Sequence, residues 1–379
     1  MKSPRLSRYL AAIKCFACDK EHEPRTLLTV CQACGMPLRV DYDLSRVRLC
    51  LADLRGRPPS LWRYREVLPL EQGDEVSLGE GLTPLLSVGS NVWVKDESRN
   101  PTGSFKARGM AVAVSMAKHL GATALAAPSA GNAAGALAAY GARAGLPVTV
   151  AMPEDTPAPF FAECEHYGAT VRRVKGTIAD AGRLLGESGP NDAFDVATLR
   201  EPYRIEGKKT MAYELVEQMQ GDLPDVILYP RGGGTGLIGM WKAFGEMECL
   251  GWIARGHRPR FVSVQAEGCA PVVRAFQQGA EKTALWPEPR TRAYGLRVPS
   301  PLGGFLCVRA LRETNGTAVA VCDERADLAM RELAASTGID VCPEGGAAWA
   351  ALSRLRETGF ISSNDKVVVF NTGTGLKYR

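Results

Sequence analysis

Short apolar runs alternate with longer helix-like runs along most of this chain, and that alternation limits its fold more than any other feature. Strands are expected at 92–96, 122–127, 148–152, 170–174, 226–229, 261–265 and 367–370. Helices are expected at 104–119, 133–144, 157–167, 205–220 and 237–249. Strands separated by helical crossovers imply parallel sheets covered by helices, an α/β class. Ligands in such folds gather where strands end and helices begin. With 379 residues, 45% of them hydrophobic, the chain can bury two main domains and a smaller appendage. No apolar run nears the roughly 20 residues that span a bilayer, so no membrane partner is expected. The basic N-terminal stretch is too short in its apolar part for a signal peptide and runs into Lys14, which points to the cytoplasm. The net charge of +5 is spread over interspersed signs, and no nucleic-acid partner is implied.

Four loops fall at the strand ends. The first, Asn100-Pro101-Thr102-Gly103-Ser104-Phe105-Lys106, leads into a helix with Ser104 placed as its N-cap. A lysine in the first helical turn lies beside unpaired amides, where the dipole disfavours its charge. That favours the neutral, nucleophilic amine of Schiff-base chemistry. Alone, Lys106 would read as a solvated surface residue; its turn and the other loops reverse that. The second loop, Pro128-Ser129-Ala130-Gly131-Asn132-Ala133-Ala134-Gly135, offers small residues and helix amides to an anion. Asn132 serves equally as a donor to a ligand oxygen or as a plain N-cap. The third, Gly232-Gly233-Gly234-Thr235-Gly236, frees backbone amides to curl around a phosphate, with the Thr235 hydroxyl beside them. It has neither a Walker lysine nor dinucleotide spacing. The fourth, Asn371-Thr372-Gly373-Thr374-Gly375, puts a hydroxyl after the last strand, as a ring-nitrogen partner or as a simple turn.

The N-terminal cysteines follow C-x2-C-x12-C-x2-C: Cys15, Cys18, Cys31 and Cys34. Two such turns supply four thiolates to a tetrahedral structural zinc, and Gly35 suits the tight turn of a knuckle. The alternative is a flap of reduced cysteines that has lost its metal. Eleven cysteines is an odd number, and a disulfide framework is not expected. The other seven read as core residues.

Taken together, the four loops resemble those of the fold-type II pyridoxal-phosphate enzymes and, within them, the threonine synthase family. The resemblance covers nearly the whole chain. It includes Arg63-Tyr64-Arg65-Glu66, Ser77-Leu78-Gly79-Glu80-Gly81-Leu82-Thr83-Pro84-Leu85 and Lys95-Asp96-Glu97-Ser98. It continues in Glu201-Pro202-Tyr203-Arg204-Ile205-Glu206-Gly207-Lys208-Lys209-Thr210 and Gly295-Leu296-Arg297-Val298-Pro299. It implies two parallel-sheet α/β domains with the active site between them, plus a zinc-ribbon-like N-terminal segment. The expected division is 1–50 for that segment, 51–110 with 206–379 for the large domain, and 111–205 for the small one. It further implies that Lys106 carries pyridoxal 5′-phosphate, that Asn132 contacts the ring oxygen, that Gly232, Gly233, Gly234, Thr235 and Gly236 hold the phosphate, and that Thr372 faces the pyridine nitrogen. The substrate would be a small phosphorylated amino acid, with Thr83, Ser129, Arg204, Lys208 and Arg231 as candidates to bind it. A homodimer is expected.

Two residues depart from the family pattern. Arg231 stands before the triple glycine where a small hydroxyl residue is usual, and Gly304 where an acidic residue is expected. These leave room for a β-replacement or β-elimination on a phosphorylated serine-like substrate, as in cysteate synthase, or for a threonine or serine dehydratase. A non-catalytic protein is disfavoured by the intact Lys106, Asn132, glycine loop and Thr372. A nucleic-acid role for the cysteine segment is disfavoured because no basic and aromatic cluster surrounds it.

Overall fold

The computed structural model describes residues 6–190 and 192–379; the first five residues of the basic N-terminal stretch lie outside them. The strands are β1 (Leu10–Cys15), β2 (Glu21–His22), β3 (Leu38–Tyr42), β4 (Leu85–Gly89), β5 (Val92–Asp96), β6 (Ala124–Pro128), β7 (Val148–Pro153), β8 (Thr170–Val174), β9 (Ala193–Asp195), β10 (Val226–Pro230), β11 (Arg260–Ala266), β12 (Thr317–Val321) and β13 (Val367–Asn371). The α-helices are α1 (Lys106–His119), α2 (Asn132–Ala144), α3 (Ala158–His166), α4 (Ile178–Ser188), α5 (Tyr203–Gln218), α6 (Thr235–Leu250), α7 (Pro271–Gln277), α8 (Gly304–Glu313), α9 (Asp323–Thr337) and α10 (Pro343–Glu357). Among the described residues no helix is long and apolar enough to cross a membrane.

The chain packs as two compact units. One holds the residues up to Leu82, Asn100–Thr102 and Lys106–Thr210; the other holds Thr83–Arg99, Gly103–Phe105 and Met211–Arg379. This division differs from the expected one chiefly in grouping the segment up to Leu82 with 106–210.

The first unit contains two sheets. The N-terminal one is antiparallel, in the order β2-β1-β3. The other is parallel, in the order β8-β7-β6-β9. Every residue of β7 is buried, as expected of a parallel strand covered on both faces. Strand β8 lies at the edge, where Arg172 and Arg173 discourage further pairing. Helices α1 and α5 meet closely because Gly207 has no side chain; a Cβ there would collide with the Arg108 carbonyl.

The second unit is built on a six-stranded sheet in the order β12-β11-β10-β13-β5-β4. Five strands are parallel, but β4 runs antiparallel to β5. Strand β4, which shows no unbroken apolar run, breaks the all-parallel pattern expected from the sequence. Its connection to β5 is a tight turn with Asn91 at φ +60°, too short for a crossover. Strands β10 and β13 are wholly buried, and Ala347, Ala348, Ala351 and Leu355 of α10 join them in one apolar core. Asn371 pairs with Asp96 in register, and Val369 with Val94. The carboxyl ends of β5, β13 and β10 therefore lie side by side. They carry the 97–105 turn, Thr372 and the glycine loop to one edge of the sheet, the place such folds reserve for ligands.

Candidate active site

Lys106 is the first residue of α1 and is half-buried. Ser104, expected as the N-cap, does not hold that place. It is fully buried two residues before the helix and bridges Gly373 in antiparallel fashion. The Phe105 N–H donates to the Thr372 carbonyl (3.1 Å) and the Thr374 N–H to Gly103 (2.8 Å). The loop before the lysine is thus stitched to the loop after the last strand. Within it Thr102 and Gly103 both take left-handed φ, +59° and +63°.

In the same unit as Lys106, α5 brings Arg204 and Lys208, both buried. Arg204 Nη1 donates to the Val196 carbonyl (2.8 Å), while Nε and Nη2 have no partner among the described residues. Burial pushes the Lys208 ammonium far below the ordinary lysine range, the nearby charges of Arg204 and Lys106 push it further, and the Glu201 carboxylate opposes them. An anionic ligand placed here would raise that pKa and restore the charge. Lys209 is different: it is ion-paired to Glu206 (2.6 Å) and sits 4.1 Å from the Tyr42 ring centre.

Glu201 is a further residue of this site, at the head of the Glu201–Thr210 segment. Its buried carboxylate accepts the Tyr203 N–H (2.6 Å) and the Arg204 N–H (3.0 Å), capping α5. Burial raises its pKa to about 7, against the pull of Arg204. The sequence signal was an acidic residue just before Pro202 and a helix start.

On the second loop, Asn132 is the first residue of α2 and is half-buried, after Gly131 at φ +154°. The Ser129 hydroxyl is engaged locally, accepting the Ala134 N–H (3.1 Å) and the Gly131 N–H (3.3 Å).

The other unit holds the glycine loop. Gly234 caps α6 at φ +92° and has no side chain to bond the helix amides. The flanking glycines have steric reasons of their own: a Cβ on Gly232 would strike the Gly295 carbonyl, and one on Gly236 the Tyr229 hydroxyl. Thr235 starts the helix and is buried. This open N-terminus fits a phosphate. Arg231, expected at the substrate, lies buried behind this loop beside Cys307 and Cys269. Thr372 is buried, with the Cys342 sulfur 3.7 Å from its Oγ1. The Thr83 hydroxyl donates to Glu97 (2.6 Å).

The four N-terminal cysteines converge, with all their sulfurs within 4.8 Å of one another. Cys15 and Cys34 sulfurs are 3.4 Å apart, Cys18 and Cys31 3.7 Å, and Cys18 and Cys34 3.5 Å. Sulfurs bound to one tetrahedral zinc at 2.3 Å stand about 3.8 Å apart. The two turns repeat one design: the Ala17 N–H points at Cys15 Sγ (3.3 Å) and the Ala33 N–H at Cys31 Sγ (3.4 Å). Asp19 and Gly35 close them with φ of +56° and +69°.

The family described as pyridoxal-phosphate dependent enzyme matches residues 76–373. The threonine synthase of Methanosarcina acetivorans is 35% identical over 374 residues, covering 96% of this chain and 92% of that protein. The threonine synthase of Methanocaldococcus jannaschii is 34% identical over 376 residues, with coverage of 96% and 92%. Among solved structures, maize serine racemase matches with a TM-score of 0.64 at 23% identity, covering 77% of this chain and 88% of that one. At that identity the likeness is one of fold.

Proposed function

The chain belongs to the threonine synthase family of pyridoxal-phosphate dependent enzymes, and from that premise we propose that it converts O-phospho-L-homoserine and water into L-threonine and phosphate. The observation that carries the choice of a phosphorylated substrate is the cluster of Lys106, Arg204 and Lys208 in one unit, with two guanidinium nitrogens of Arg204 buried and unpartnered.

When bound, pyridoxal phosphate supplies an electron sink for a carbanion at the substrate Cα. Lys106 would hold it, and the freed amine would then take the Cα proton. Asn132 would orient the ring through its oxygen, and the amides of Gly232–Gly236 would hold the phosphate. Thr372 would meet the ring nitrogen with a neutral hydroxyl, which does not enforce protonation as a carboxylate would. The planar fork of Arg204 is suited to grip the substrate γ-phosphate, with Lys208 adding charge. Loss of a Cβ proton would expel the γ-phosphate; a proton added at Cγ, the hydroxyl of water added at Cβ and a proton returned to Cα would then give threonine. Ser129 would act by shaping the loop, because its hydroxyl is occupied.

Phosphate release measured on phosphohomoserine, phosphoserine and phosphothreonine, with and without sulfite, tests this reading. Phosphohomoserine alone should give phosphate and threonine in equal amounts. Its failure to give either refutes the proposal, and sulfite-dependent turnover of phosphoserine would put a replacement reaction in its place. Losing the charge-assisted bonds of Arg204, each about 1.5–3 kcal/mol, should raise KM for phosphohomoserine about 10- to 100-fold in Arg204→Ala.

Three further assignments complete the proposal. Cys15, Cys18, Cys31 and Cys34 would hold one structural zinc with no open coordination position. One zinc per chain after purification supports this; none sinks it. A cytoplasmic homodimer is the assembly and location we assign, checked by sedimentation and fractionation.

A further inference from the structure

Arg231 is the last residue before the glycine loop, and its N–H donates to the Val264 carbonyl (2.8 Å). Its side chain is wholly buried, and Nε, Nη1 and Nη2 all lack a hydrogen-bond partner among the described residues. Nη1 lies 3.8 Å from where a Cβ on Gly234 would stand, so the guanidinium aims at the residue that opens α6. The groups that act on it are the thiols of Cys307, whose sulfur is a weak acceptor for the guanidinium, and of Cys269; neither carries a counter-charge. Burial pushes Cys269 up to about 11 and raises Cys307 as well, so neither is a thiolate at neutral pH. A guanidinium does not shed its proton at neutral pH. A permanent cation is therefore fixed in an apolar setting beside the positive end of a helix, and both surroundings oppose it. Only an anion on the loop balances such a charge.

We propose that Arg231 is a positioning residue that supplies this balance, holding the cofactor phosphate at the α6 N-terminus as its dianion through the loop rather than binding the substrate. This rests on the reading that Gly232–Gly236 receive that phosphate. It gives this chain a fixed charge where the family pattern has a small neutral residue, and it predicts tight retention of the phosphorylated cofactor.

The full chain stripped of cofactor is titrated with pyridoxal phosphate and, separately, with pyridoxal, which lacks the phosphate. Arg231→Met should weaken pyridoxal phosphate tenfold or more and leave pyridoxal within twofold. The cofactor-free protein should unfold at the same or higher temperature in this variant, because an unbalanced charge is gone. Arg231→Lys should stay within about threefold of the parent, and Arg231→Gln should behave as Arg231→Met does if the latter fails to fold. In the cofactor-loaded parent the phosphorus resonance should be constant from pH 5.5 to 8.5, and in Arg231→Gln it should titrate. Equal losses for both ligands, or none for either, would overturn the proposal. Thr235→Ala separates it from its premise. If T235A weakens only the phosphorylated ligand while R231M does not, the loop stands and the role of Arg231 falls. If neither variant does, the loop assignment falls first.

Discussion

Lys208 and Lys209 are consecutive and fully buried on α5, yet the two sides of that helix treat their charges in opposite ways. On the Lys209 side the charge is answered: Glu206 accepts it at 2.6 Å, and the Tyr42 hydroxyl donates to the same carboxylate (2.8 Å) while its ring lies against the ammonium. On the Lys208 side burial is compounded by Arg204 and Lys106, and the Glu201 carboxylate offsets them only in part. Lys95, in the other unit, repeats the first arrangement, with Glu214 at 2.9 Å, Gln218 at 2.8 Å and the Thr83 carbonyl at 2.7 Å. Burial of a charge is common to all three, so it does not mark a site. The counter-charge differs: Lys209 and Lys95 each have a carboxylate within hydrogen-bond distance, whereas Lys208 and Arg204 both draw on the single buried carboxylate of Glu201.

The comparison can be broken or sharpened by substitution. The largest effect belongs to Lys106→Ala, where turnover should fall about a thousandfold or more and borohydride should no longer fix cofactor to the protein, as read by mass. A fixed cofactor would move its attachment elsewhere. Next is Lys209→Met, which strands the buried Glu206. It should lose about 3–5 kcal/mol in urea unfolding while the folded fraction keeps its kcat.

Glu201 comes third. Its folded pKa of about 7 is raised above the ordinary carboxylate value, chiefly by burial, and Arg204 and Lys208 oppose the rise. The folded state therefore binds the proton more tightly than the unfolded chain between about pH 4.5 and 7. Stability should fall as pH rises through that window, by about 1.4 kcal/mol per unit at most, and level off above it. Denaturation at pH 5 and pH 8 should show this slope in the parent and not in Glu201→Gln. An unchanged slope in E201Q assigns it to other groups.

Lys208→Met should raise KM for the phosphorylated substrate about tenfold, one charged contact, with stability equal to or above that of the parent. If it destabilises as much as Lys209→Met, the contrast between the two sides fails. The smallest effect is expected for Gly109→Ala. Its Cβ would sit 2.9 Å from Lys208 Cε and 3.1 Å from the Arg204 carbonyl, displacing the lysine. A cost of about 1 kcal/mol and a few-fold rise in KM are expected. A KM equal to the parent's would show that Lys208 tolerates the shift.

Much of this was legible in the sequence because it is local. A glycine run at a strand end, and a lysine opening a helix, are visible without a fold. Strands such as β10 and β13 announce themselves as unbroken apolar runs. Helix α10 did not, because its first turn carries Gly345 and Gly346. Those glycines answer tertiary needs, since a Cβ on Gly346 would press on the Ala326 carbonyl and Met330 of α9. The very short β2 had too few residues to show a period. Ser104 misled for a related reason. A serine before a helix is ordinarily a cap, and only its distant partner Gly373 shows that it is a bridge residue. The charge balance of Lys208, Arg204 and Arg231 was likewise invisible, because their surroundings come from segments far apart in the chain.

The bonds between 103–105 and 372–374 also have a consequence in time. A ribosome releases the lysine-bearing turn early and its stitching partner only after β13 has been made. At roughly 5–20 residues per second, tens of seconds of elongation separate the two. Until then the 103–105 backbone lacks these bonds, so a nascent chain would display the lysine without this part of its setting. The turn before the lysine is thereby completed only once 372–374 have been made.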